Sequence, residues 1–465
     1  MPAPRFADPG HAARDLTVVS ADALPDWLAA QPAAVQSWLK GSGFEAALGE
    51  VRLLQGPEGA VSAAVAGLGT AKARARLRFG IVKALASLPG GAWRLVGDLS
   101  QAQRDEAALG SLLAQYRFER YRTAKATEPV MLVPEGVDAA RLLAMAEGEF
   151  LTRDLVNTPA SDMGPDELEA AFLALAARFG AVTEVIRGAA LDDGFPMIAA
   201  VGRASGRAPR LLDMRWGDAG PQLTLVGKGV CFDTGGVDIK PSAGMLLMKK
   251  DMGGAATVLG LALMIMALGV KVRLRVLVPA VENAIAGNAM RPGDILRSRK
   301  GLTVEVNNTD AEGRLVLGDA LAYACEGKPD VVVSMATLTG AARVAVGPDL
   351  APYYCDDAGI VAALEAGAVA GFDPVWRLPF HEPYEAIIEP GIADLDNAPG
   401  GGFAGSVTAA LFLRRFVEGP RYLHFDIFAH TPTEQPARPK GGVGQGARAV
   451  LGALPAMLGQ SILEP

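Results

Sequence analysis

Cysteine is scarce: Cys231, Cys325 and Cys355 are the three in 465 residues, and no CxxC pair occurs. That makes a disulfide framework unlikely and points to a reducing compartment. Histidine is nearly as scarce. His11, His381, His424 and His430 make no HExxH zinc helix. No GxSxG nucleophile elbow is present either. Positive charge is not in excess. The net charge of −7 argues against nucleic acid or an anionic membrane as the main partner. No apolar run is long enough to span a bilayer, and the longest, Thr257 to Val270, reads as a buried helix. The opening MPAPRFADPGHAARD has no apolar core, so no signal peptide is expected and a cytoplasmic location is. Internal repeats and low-complexity tracts are missing too.

What is present is ample apolar material, 50% of the chain, enough for a large core and two or three domains. Short apolar strands alternate with helical patterns throughout. Before residue 140 the expected strands are Leu16–Val19, Val61–Ala66, Trp93–Val96 and Val130–Val133, with helices at Ala71–Leu88 and Gln103–Arg117. This region holds no cluster of potential ligands. Val137–Asn157 reads as a connecting helix stopped at Thr158-Pro159. Beyond it, Leu168–Phe179, Ala255–Leu268 and Ser406–Phe416 read as helices. Pro196–Val201, Arg210–Trp216, Leu223–Val226, Val331–Met335 and Tyr422–Ile427 read as strands, and Val270–Val278 alternates like a half-buried one. The expected fold class is α/β, with a small N-terminal α/β domain (1–140), a connecting helix (141–160) and a larger C-terminal catalytic domain (161–465) around a mainly parallel or mixed sheet.

Two stretches carry chemistry. Asn307 to Leu321, NNTDAEGRLVLGDAL, packs Asp310, Glu312 and Arg314 into five residues after the apolar run Leu302–Val306. Leu317, Leu321 and Ala324 then recur at helical spacing, so the acidic pair sits at a strand-to-helix turn. Alternation along an extended segment would point both carboxylates one way, and a bound cation would relieve their repulsion. The bland alternative is an acidic first turn of an ordinary helix. Leu223 to Gly254, LTLVGKGVCFDTGGVDIKPSAGMLLMKKDMGG, threads Lys228, Asp233, Lys240 and Asp251 through glycines.

VGKGVCFDTGG, KPSAGM, DMGGAA and NTDAEGRLVL, in that order, resemble the signatures of the leucyl (cytosol) aminopeptidase family of dinuclear metal exopeptidases. The resemblance runs from about Asn157 to Ala453 and is weak before that. It implies a metallo-aminopeptidase that releases N-terminal residues from peptides with a free N-terminus. Two divalent ions per chain would be zinc or manganese, with magnesium as a third candidate. Asp233 and Glu312 would be shared by both ions. Asp310 would complete one site, and Asp251 with the neutral amine of Lys228 the other. Lys240 would stay charged and stabilise the tetrahedral intermediate, and Arg314 would hold bicarbonate as general base. Met248, Thr337, Leu338 and Gly340 resemble substrate-pocket positions, although a lone methionine such as Met248 more often serves as core.

This chain also departs from the family. Leu246 stands where relatives commonly have aspartate. Phe428 and His430 stand where many have small residues. Phe428 either joins the core or narrows the pocket, which would favour small or slender first residues. The family also implies a homohexamer, a dimer of trimers. The alternatives are a narrow dipeptidase, for instance for cysteinylglycine, an architectural DNA-binding protein, or an inactive relative. The acidic charge weighs against the DNA-binding reading, and the intact ligand positions against the inactive one.

Overall fold

The computed structural model describes residues 3–56, 59–123 and 129–463. Contacts within the chain define two units, Met1–Glu147 with Thr433–Lys440, and Gly148–Pro432 with Gly441–Pro465. The division falls inside the helix Ala139–Asn157.

The first unit contains a five-stranded sheet in the order Val51–Gln55, Val61–Gly69, Arg14–Ser20, Gly91–Val96, Pro129–Met131. The outer pair Val51–Gln55 and Val61–Gly69 is antiparallel, and the other pairings are parallel. Helix Gln101–Leu113 opens on a capping box between Ser100 and Gln103 and buries Ala108, Leu109 and Leu112. The helix expected over Ala71–Leu88 is broken into Ala71–Ala75 and Val82–Leu85. Between the pieces Phe79 adopts a left-handed backbone, φ 57°, and its ring is fully buried. Burying that ring outweighs local helix propensity.

The second unit is built on a nine-stranded mixed sheet. Its order is Val375–Leu378, Ala351–Tyr354, Arg421–Asp426, Val331–Ala336, Gln222–Gly227, Arg273–Asn283, Arg210–Trp216, Val182–Arg187, with Gly229–Asp233 pairing to the far end of Arg273–Asn283. The four central strands run parallel, from Arg421–Asp426 through Arg273–Asn283. Their carboxyl ends therefore finish together: Ala336 pairs with Asp426, Met335 with Gly227, and Asn283 with Asp233. In open parallel sheets that edge is where ligands bind.

Two expectations for this unit change. Pro196–Val201 forms a helix, Pro196–Gly202, in place of a strand. Proline suits the first helical position, and the Asp319 carboxylate accepts the buried first-turn N–H groups of Met197 and Ile198 at 2.8 and 3.3 Å. A short apolar run does not distinguish the two states by itself. The strand expected over Val270–Val278 to be half-buried is Arg273–Asn283, and it is central and buried on both faces. Of the alternating charges that suggested a wet face, Lys271 and Arg273 are exposed before and at the strand's start, and Arg275 is the exception. It is buried against Asp213, Nη2 to Oδ2 2.7 Å, and its guanidinium stacks 4.2 Å over the Tyr323 ring. The apolar stretch Met248–Ala267 has the length and composition to cross a bilayer, yet it is 94% buried inside the fold. Its helical part, Gly253–Ala267, lies directly on the sheet: a Cβ on Gly254 would stand 2.1 Å from the Met335 carbonyl oxygen.

Candidate metal centre and active site

The strand ends bring the two chemical stretches together. Lys228 follows Gly227 directly. Its backbone N–H donates to the Met335 oxygen at 3.0 Å, and its own carbonyl accepts from Ala255 at 2.8 Å. This places a buried lysine at the edge of the sheet. Its Nζ lies 2.7 Å from Asp251 Oδ2 and 2.9 Å from Glu312 Oε1. Asp233 ends its strand, and its Oδ1 accepts from Gly235 N–H and Asn283 Nδ2, both at 2.8 Å. Lys240 reaches back to Asp233 Oδ2 at 2.7 Å and Asp310 Oδ1 at 2.5 Å.

Asp310 and Glu312 share one point, but not through strand alternation as expected. Asp310 sits in a turn, and Glu312 is the first residue of helix Glu312–Glu326. The turn is clamped from outside. Asn397 Oδ1 accepts from Asn307 and Asn308, and its Nδ2 donates to the carbonyls of Asn308 and Ala311. Thr309 is tied to Asp238 and to the Gly235 carbonyl. Asp233, Asp310 and Glu312 each offer an oxygen within 4.8 Å of the others.

The electrostatics show what this cluster lacks within the chain. Burial, then repulsion from Asp233, raises Glu312 to about 8 and Asp310 to about 6. Asp251 is held below the usual carboxylate range: burial opposes ionisation, but the Lys228 and Lys250 charges outweigh it. Lys228 moves opposite to what a neutral metal ligand needs. Burial would lower it, but Asp251, Glu312 and Asp233 push its ammonium well above the ordinary lysine value. Only a dication beside the amine could reverse that.

Several of these carboxylate oxygens approach an ammonium closely without hydrogen-bond geometry. Both Glu312 oxygens, Asp251 Oδ2 and Asp310 Oδ1 are buried with no hydrogen-bond partner. Such oxygens fit hard or borderline divalent cations. Arg314 fits an anion. It is buried, Nη1 donates to the Asn397 carbonyl at 2.5 Å, and Nε has no partner. Burial lowers its guanidinium to about 10 against the pull of Asp426 and Glu312.

The remaining expected positions gather beside the cluster. Thr337 Oγ1 donates to Asp251 Oδ1 at 2.8 Å, and the Thr337 carbonyl accepts from Lys228 Nζ at 3.2 Å. Leu338 and Met248 are half-buried, Gly340 opens a helix and is exposed, and Leu246 is exposed. Phe428 is only half-buried, and His430 meets its ring edge-on at 5.6 Å.

Three further contributors went unremarked in the sequence. Asp426 accepts from the Leu338 and Thr339 N–H groups, from Thr339 Oγ1 and from Ser406 Oγ, and so holds the turn that carries Thr337 and Leu338. Asn397 clamps the acidic turn. Lys250 is buried beside Asp251. Asp426 and Asn397 lie in HFDIFAH and IADLDN, where no spacing of ligand-type residues assigns them a role.

A model of the cytosol aminopeptidase family catalytic domain matches residues 150–451, and a model of the M17 aminopeptidase N-terminal domain matches residues 15–134. The chain belongs to the cytosol aminopeptidase family. It is 41% identical over 375 residues to a probable cytosol aminopeptidase of Caulobacter vibrioides, covering 76% of this chain and 75% of that protein. The crystal structure of a cytosol aminopeptidase from Coxiella burnetii superposes with a TM-score of 0.91 at 41% identity, covering 97% of this chain and 98% of that one. The bottromycin maturation enzyme BotP in complex with Mn superposes with a TM-score of 0.86 at 32% identity, covering 96% and 100%. This family member is a metallo-aminopeptidase. Peptides are its substrates and divalent metal its cofactor.

Proposed function

We propose that the enzyme hydrolyses the first peptide bond of peptides with a free N-terminus at a two-metal centre held by Lys228, Asp233, Asp251, Asp310 and Glu312. The observation that carries this reading is the set of buried carboxylate oxygens without hydrogen-bond partners, gathered at the carboxyl ends of four parallel strands. Asp233 and Glu312 would be the shared ligands. Two divalent ions, zinc or manganese with magnesium as the third candidate, would lower the pKa of the attacking water and neutralise charge developing on the scissile carbonyl.

The chain's own groups do the rest. Lys240 is kept protonated by Asp233 and Asp310 and would donate to the oxyanion of the tetrahedral intermediate. Arg314, with Nε unpartnered, would hold bicarbonate as the general base. Asp426 fixes the Thr337–Leu338 turn along which the substrate lies. With metal held by the proposed ligands, the substrate's free α-amine would be read there, which would restrict cleavage to the first bond. The expected location is the cytoplasm. The expected assembly is a homohexamer, which gives the exposed side chains Trp376, Ile392 and Phe403 a partner surface.

Metal analysis combined with hydrolysis of amino-acid amides tests the reading. Two ions per chain and activity restored by zinc, manganese or magnesium after chelation are expected. One ion, or ions bound elsewhere in an anomalous map, would sink the ligand assignment. Lys240→Ala should keep both ions and lose roughly 10²–10³ in rate. Arg314→Ala should keep both ions and lose any dependence on bicarbonate. A variant that sheds its metal has been given the wrong role.

A further inference from the structure

Two cations pack against Phe428. Lys250 Nζ lies 5.4 Å from its ring centroid, and Arg343 Cζ lies 4.7 Å from it. Lys250 is 6% exposed, yet its ammonium makes no hydrogen bond to any described residue. Its one acidic neighbour is Asp251, whose Oδ1 is 3.7 Å away. That carboxylate is already engaged: Oδ1 accepts from Thr337, and Oδ2 faces Lys228 at 2.7 Å. Arg343 has no acidic partner among the described residues, and its Nη2 stands 3.9 Å from where a Gly340 Cβ would be. The two cations also sense each other's charge.

Lys250 is a desolvated cation with no anion to spare, which is costly unless a ligand supplies the missing charge; Arg343 is exposed and adds a second positive charge beside it. Their location identifies the ligand. Lys250 is two residues after Met248 and adjacent to Asp251. Arg343 lies three residues after Gly340 on the helix Gly340–Val346. Both thus lie in the segments that hold Met248 and Gly340, and both pack against Phe428, the positions that the family resemblance implies lie along the substrate's first side chain.

We propose that Lys250 and Arg343 bind the side-chain carboxylate of the substrate's first residue, which makes this enzyme selective for N-terminal aspartate or glutamate. The inference rests on the aminopeptidase reading above. An acidic side chain would pair with the ammonium of Lys250 and the guanidinium fork of Arg343 at once. A leucyl or lysyl side chain would leave both cations unpaired or add a third.

The test compares kcat/KM of the metal-supplied enzyme on glutamyl, glutaminyl, aspartyl, asparaginyl, leucyl and lysyl amides. Charge-assisted recognition predicts that glutamyl or aspartyl exceeds its own amide isostere by about 10- to 100-fold. Lys250→Met should bring that ratio near one, and Arg343→Gln should lower it. Arg343→Glu should move preference toward lysyl. Each ratio compares two substrates in one variant, so loss of metal or of folded protein cancels. A wild-type ratio of one or less overturns the proposal, as does a ratio unchanged in both neutral variants. Free dipeptides cleaved faster than their C-terminal amides whatever the first residue would assign the cations to a terminal carboxylate and overturn it too. No hydrolysis of any amide would overturn the peptidase reading itself, and this inference with it.

Discussion

At the residue scale, Gly313 shows how little room the centre has. A Cβ there would stand 2.6 Å from both Cε and Nζ of Lys228. The methyl group of Gly313→Ala would meet the end of a long side chain, not backbone, so the lysine moves and the fold stays. Metal content and activity should fall sharply, while the melting temperature of the metal-free protein should match that of the metal-free parent. An active, metal-replete variant would show that Lys228 has slack. His424 makes a separate prediction. Its ring is fully buried, bonded to Ser334 through Nδ1, and burial pushes it down to about 3. The folded pKa lies below the unfolded value near 6.5, so the unfolded chain binds the extra proton and stability falls as pH drops below about 6.5. Between pH 6.5 and 5 this group alone should cost about 2 kcal/mol. His424→Phe should flatten the pH dependence of unfolding by that amount, and identical slopes would show that the ring reaches solvent.

At the scale of elements, the short helix Pro196–Gly202 depends on a carboxylate far along the chain. Asp319 Oδ2 accepts from Met197 and Ile198, and Oδ1 accepts from Arg299 at 2.7 Å. Asp319→Ala would leave two buried N–H groups and the part-buried one of Arg299 without a partner, at about 1–3 kcal/mol for each buried one before relaxation. Denaturant unfolding should show a loss of about 3 kcal/mol or more. Asp319→Asn keeps one acceptor oxygen and should lose less. Equal losses would assign the effect to packing. The turn Asn307–Ala311 obeys the same logic: Asn397 holds it, so the acidic pair points inward although neither strand nor helix fixes Asp310.

At the scale of the whole molecule, the centre lies between elements far apart in sequence, and its repulsion opposes folding unless a cation is bound. Metal should therefore stabilise the fold as well as activate it. A ligand that binds the native state at 100 times its dissociation constant adds about 2.7 kcal/mol. Calorimetry with and without chelator should show a rise in melting temperature on adding divalent metal. Activity restored with no shift in melting temperature would place the metal outside these buried carboxylates.

The sequence by itself determined the α/β class and the five neighbouring strands from Arg421–Asp426 to Arg210–Trp216, and it pointed to the residues of the proposed centre. Those signals are local. Val331–Ala336 is a run of β-formers wherever it lies, and VGKGVCFDTGG and NTDAEGRLVL mark their residues without knowledge of distance. Only the tertiary structure decided that Pro196–Gly202 is helical, that Phe79 breaks a helix, and that Arg275 lies in a buried strand. Each depends on a partner supplied from elsewhere: Asp319, the first unit's core, and Asp213 with Tyr323. The pairing of Lys250 with Arg343 across Phe428 was equally invisible, because three residues spread over 178 positions meet only once the parallel strands end side by side.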